Sequence, residues 1–119
     1  MATPDLPIMT FTNRDELRSW LAANHQTSPG IFIRVYKKHA GIPTVPFEDV
    51  LDGGLCFGWS ESIRLKGDDV SYLQKFTPRR TKGTTSARNI SHARALIAEG
   101  RMTPAGLAAL GTALNTSDS

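Results

Sequence analysis

From Ile31 to Lys37 the residues alternate, with Ile31, Ile33 and Val35 on one side and Phe32, Arg34 and Tyr36 on the other. A period of two fits a strand with one face in a core, and a helix cannot use it because its own faces repeat every 3.6 residues. The run predicts a β-strand, bounded on its N-terminal side by Ser28-Pro29-Gly30. Its apolar face needs a covering layer, and the rest of the chain has to provide one.

Helical spacing supplies that layer. Leu17, Trp20 and Leu21 form an i, i+3, i+4 stripe, and Thr12 or Asn13 stands before it as an N-cap with Asp15 or Glu16 three residues on. This predicts a helix over 13–24, after a short strand over 8–11. Pro46 suits the first turn of a second helix, with Glu48 and Asp49 at its positive end and Phe47, Val50, Leu51 and Leu55 on its buried side. Gly53 and Gly54 each weaken a helix interior by about 1 kcal/mol, so packing must hold this helix or it ends early.

Residues 59–66 and 70–76 read as two strands joined by the turn residues Gly67, Asp68 and Asp69. After Pro78 and a polar stretch, Thr85 or Ser86 caps a third helix carrying Ala87, Ile90, Ala93, Leu96 and Ile97, which Gly100 ends. Thr103-Pro104 opens a fourth helix with Leu107, Leu110 and Leu114 turned inward. The expected fold is therefore α+β: a small, mostly antiparallel sheet of three to four strands with about four helices, in the order β-α-β-α-β-β-α-α. With 119 residues and no linker, the chain is expected to form a single domain over 1–119.

Composition narrows the function classes. Apolar residues at 39% and charged residues at 21% exclude a disordered or collagen-like chain. No apolar run reaches the roughly 18–20 residues that cross a bilayer, so membrane insertion is not expected. Residues 1–7 have neither a basic start nor an apolar stretch of the kind that directs secretion, which gives a cytoplasmic expectation. Cys56 is the single cysteine and the three histidines stand apart without ligand spacing, so neither a disulfide nor a metal centre is expected. No cofactor-binding signature and no catalytic constellation is present, and the chain reads as non-enzymatic.

Charge is unevenly spread. Lys75 to Arg101 holds seven basic residues against Glu99 alone, a local +6 in a chain whose net charge is +3. Within this stretch Arg79, Arg80, Lys82, Thr85, Ser86, Arg88 and Asn89 run from a strand end across a turn into a helix start. Free amides, the positive end of a helix and guanidinium groups together suit an anionic ligand or partner. The alternative is structural, with Thr85 or Ser86 capping the helix and the arginines paired with acids such as Glu61 or Asp52.

A second constellation, Cys56, Phe57, Trp59 and Glu61 with Trp20 or Tyr36 across from it, suits a small-molecule pocket or an enzyme site. The same residues serve equally as a core. Tyr72 and Phe76, set among basic residues, leave single-stranded nucleic-acid binding as a third reading. A module acting only through a protein interface is a fourth.

Several blocks resemble the YdeI/OmpD-associated family, also called bacteriocin-protection proteins, over about residues 11–110. They are Trp20-Leu21 with Asn24-His25, Gly30-Ile31, Tyr36-Lys37-Lys38, Leu55-Cys56-Phe57-Gly58-Trp59, Phe76-Thr77-Pro78-Arg79-Arg80, Asn89, and Gly100-Arg101-Met102-Thr103-Pro104-Ala105-Gly106-Leu107. The family usually continues Ile-Asp-Gly after the tryptophan, where this chain has Ser60-Glu61-Ser62. Its Ser-x-Trp-Ser is replaced here by Gly83-Thr84-Thr85-Ser86. The resemblance implies a protective role against antimicrobial peptides. Because this chain is itself net positive, that protection is expected to be indirect rather than by sequestering cationic peptides.

Overall fold

A computed structural model describes residues 6–79 and 86–111. The elements, in chain order, are β1 (Ile8–Met9), α1 (Arg14–Asn24), β2 (Ile31–Tyr36), a 3-10 turn (Lys38–Ala40), α2 (Phe47–Phe57), β3 (Trp59–Lys66), β4 (Ser71–Pro78), α3 (Ala87–Ala98) and α4 (Pro104–Leu110). The α+β class and the order of strands and helices agree with the sequence reading. Leu114 lies outside the described residues.

The four strands form one sheet in the order β1-β2-β4-β3. β1 runs parallel to β2, and the β2–β4 and β4–β3 pairs are antiparallel. Register places Ile31 opposite Phe76, Val35 opposite Tyr72 and Trp59 opposite Pro78. Ile31, Ile33, Val35, Phe76 and Trp59 join Leu17 and Leu21 of α1, Val50 and Leu55 of α2, Leu96 of α3 and Leu110 of α4 in one buried cluster. The helices thus cover the face that the alternation of β2 marks as apolar.

The caps are local chemistry carried out as the sequence proposes. Asn13 accepts the Glu16 amide at 3.0 Å, which satisfies one of the free donors of α1, and the Glu16 carboxylate reaches back to the Thr12 amide just before the cap at 2.7 Å. Ser86 accepts the Asn89 amide and Thr103 the Gly106 amide. At the end of α3 the Gly100 amide donates to the Ile97 carbonyl and the Arg101 amide to that of Leu96, with Gly100 at φ +75°. That paired closure needs a left-handed residue, which glycine supplies without strain.

Two expectations shift. The first strand is shorter than 8–11, and Pro46 stands at the N-cap of α2 in extended backbone rather than inside its first turn. The glycine pair does not shorten α2, which runs on to Phe57 and stops at Gly58. A Cβ on Gly54 would lie 2.7 Å from the Trp59 carbonyl oxygen and 3.0 Å from the Phe76 ring, so the missing side chain is what lets α2 lie on the sheet. Gly53 faces Leu17 and Leu21 and gives α1 its close approach.

β3 carries a bulge between Glu61 and Arg64. The carboxamide of Gln74, only 2% exposed, fills it, donating to the carbonyls of Ser62, Ile63 and Lys75 at 3.2–3.3 Å. A buried polar side chain is tolerated here because its donors are used. Arg64 lies over the Tyr72 ring at 4.0 Å and near that of Phe47 at 5.3 Å.

Candidate functional site

Residues 55–59 and 100–107 meet at the C-terminal end of α2. Trp59 is buried edge-on against Trp20 at 5.6 Å and tilted against Phe76 at 5.1 Å, and its Nε1 donates to the His25 carbonyl at 3.3 Å. The Cys56 carbonyl accepts both the Thr103 amide, at 3.2 Å, and the Thr103 hydroxyl. Gly106 then sits where any Cβ would strike the carbonyls of Leu55 and Cys56. One helix end is therefore closed by the start of another, and residues 55–59 and 100–107 are the two halves of that joint.

This packing decides where the second constellation lies. Cys56, Phe57 and Trp59 are buried, and the space beside Trp59 is filled by the rings of Trp20 and Phe76. Glu61 is opposite Phe76 and half-buried. Tyr36 lies opposite Ser71, at the far end of β2 from the Ile31–Phe76 pair and on the other face of the sheet. The structure brings Trp20 and Trp59 together and leaves Tyr36 apart from them.

Of the basic segment, Arg80, Lys82 and Thr85 lie outside the described residues. The Ser86 hydroxyl and the Asn89 amide bond to each other in the cap of α3. Arg88 is exposed in the first turn of that helix. The Arg79 amide donates to the Gly58 carbonyl at 2.9 Å, and its side-chain Nε is buried with no hydrogen-bond partner among the described residues. A buried donor without an acceptor is unfavourable by about 1–3 kcal/mol.

A cleft of about 180 Å³ opens between α1 and α2. Leu17 and Gly53 form its apolar lining, and Arg14, Arg18 and Arg101 bring three guanidinium groups to it from two distant parts of the chain. Asp15 and Asp49, each in the first turn of its helix, complete the wall. Among the described residues the ion pairs are Arg34–Asp68, His92–Asp52 and Arg101–Glu99, so no two charges of the cleft are paired with each other.

The arginines differ in how firmly they are held. Arg18 lies over the Phe57 ring at 5.2 Å, with the ring of His25 also 5.2 Å from that of Phe57. Its positive charge also bears on the Cys56 thiol. Burial pushes that thiol's pKa up, and Arg18 and Arg101 pull against the rise without cancelling it. Arg101 is tied to Glu99 at 3.2 Å, and Arg14 is exposed at the mouth. A guanidinium has five donors in a fixed fork, so Arg18 retains most of its hydrogen-bonding capacity for a ligand.

Sequence reasoning passed over Arg14 and Arg18. The signal was present: Arg14, Leu17, Arg18 and Leu21 follow i, i+3, i+4, i+7, which puts two cations on the helix stripe that enters the core. The fold and this cleft define a small α+β domain with one charged inter-helix groove. The chain belongs to the family described as Domain of unknown function (DUF8412), whose model matches residues 9–109. Comparison with curated proteins and with solved structures returns no match. No described helix is long and apolar enough to cross a membrane, and no group of three or more potential metal ligands occurs among the described residues.

Proposed function

We propose that this chain is a non-enzymatic binding protein that holds a small ligand by an anionic group in the α1–α2 cleft. The observation that carries this reading is the convergence of Arg14, Arg18 and Arg101 on one groove without an ion pair to either aspartate in its wall. Arginine binds carboxylate or phosphate through two parallel hydrogen bonds, and the Phe57 ring restricts Arg18 before a ligand arrives. The likeness to the YdeI/OmpD-associated family suggests that such binding serves a protective role in the cytoplasm.

Thermal shift and calorimetry with small carboxylates and with inorganic phosphate test it. Binding is expected to fall at least tenfold in Arg18→Ala and to persist in Arg88→Ala. Equal binding by both variants and the parent chain refutes the assignment of the cleft.

A second reading rests on the Nε of Arg79, which has no partner among the described residues. It places an extended anion along the basic stretch that includes Arg79, Arg80, Lys82 and Arg88. Heparin binding that falls steeply with salt and is weakened by Arg79→Ala would favour this surface over the cleft.

A further inference from the structure

Resting on the anion-binding reading of the cleft, we infer that its ligand also carries an ammonium group, so that the ligand class is a small zwitterion. Arg101 is already engaged by Glu99. That leaves Arg14 and Arg18 in a groove also lined by Asp15 and Asp49, two cations and two anions. A lone anion drawn to the guanidinium groups must lie near both carboxylates, which repel it. A molecule with charges of both signs turns that repulsion into a second attachment, and wrong partners are excluded by the same charges.

Size limits the ligand further. The cleft's volume of about 180 Å³ is well below the roughly 300–1,000 Å³ of sites that take drug-sized ligands. It holds the volume of about six waters at ~30 Å³ each, which suits a molecule of amino-acid size rather than a nucleotide or a peptide. Gly53, which has no side chain, leaves room over the buried Leu17 for the few carbons joining the two charged ends. The anionic end fits the Arg18 side, where the guanidinium is braced by Phe57, and the ammonium fits Asp49 on the facing helix.

The test is calorimetry on the full chain with L-alanine, O-phosphoethanolamine, N-acetyl-L-alanine, L-alaninamide and inorganic phosphate. L-alanine or O-phosphoethanolamine is expected to bind at least tenfold more tightly than N-acetyl-L-alanine, L-alaninamide or phosphate. Which of the two zwitterions prevails tells whether the anionic end is a carboxylate or a phosphate. Asp49→Asn is expected to abolish the advantage while leaving the binding of simple anions equal or stronger. Asp15→Asn, at an exposed position, gives the same readout should Asp49→Asn fail to fold. If N-acetyl-L-alanine or phosphate binds as well as the zwitterions, the inference falls and the anion site stands. If no probe binds, both fall.

Discussion

The neighbouring glycines of α2 offer a sharp test, because replacing each by alanine should have opposite effects. Alanine is favoured over glycine in a helix interior by about 1 kcal/mol, and this gain is common to both sites. At Gly53 the new Cβ would meet the flexible ends of Leu21 and Leu17 at 3.3 and 3.4 Å, contacts that small side-chain adjustments absorb. Gly53→Ala should therefore lie between neutral and about 1 kcal/mol more stable. At Gly54 the Cβ would come 2.7 Å from a backbone oxygen of Trp59 and 3.0 Å from a core ring. Neither can move without shifting β3 against α2, and overpacking of this kind costs about 1–3 kcal/mol or more. With backbone as the obstacle the cost falls in the upper part of that range, so Gly54→Ala should lose about 1–2 kcal/mol net, a gap of roughly 1–3 kcal/mol between adjacent substitutions.

For 119 residues, an unfolding entropy of about 2.1 cal/mol/K per residue makes 1 kcal/mol worth about 4 °C in Tm. Thermal unfolding followed by circular dichroism, with urea titration as a check, should separate the two variants by about 4–12 °C. If both shift in the same direction by similar amounts, propensity alone governs α2 and the packing argument is wrong.

Two further outcomes follow from side chains already described. Gln74→Ala strands the carbonyls of Ser62 and Ile63 at the bulge and should cost about 1–3 kcal/mol in urea unfolding; a loss below about 0.5 kcal/mol would show that water replaces the carboxamide. Asp68 accepts the Ser71 hydroxyl at 2.8 Å and the Val70 amide at 3.0 Å, which hold its carboxyl below the ordinary 3.8. Its stabilisation of the turn is fully present above that value and is lost as pH falls through the lower folded value. An NMR titration in which Asp68 protonates at or above 3.8 would contradict this.

Much of the fold was legible because its signals are local. Alternation over residues 31–36, caps at Asn13, Ser86 and Thr103, and Gly100 at a helix end each act within a few residues, and the structure uses them as proposed. The continuity of α2 was not legible, since Gly53 and Gly54 are tolerated only through partners on α1, β3 and β4. The cleft was hidden for the same reason. Arg18 and Arg101 are neighbours only once α1 and the segment after α3 have both packed around α2, whereas the run of cations around Arg79 is conspicuous in sequence and lies largely outside the described residues. Trp59 and Phe57 showed the converse ambiguity: aromatic residues beside a glycine suit a pocket or a core, and only the rings of Trp20 and Phe76 decide between them.

The bulge in β3 bears on how this molecule keeps to itself. β3 is the outermost strand on its side of the sheet, where an uninterrupted row of amides and carbonyls would invite a stranger's backbone to add on. Because Gln74 draws two successive carbonyls inward at Ser62 and Ile63, that row is broken midway along the strand. An incoming chain would find the ladder out of step on either side of the break, so the border that looks most open to fibril-like growth is already closed to it.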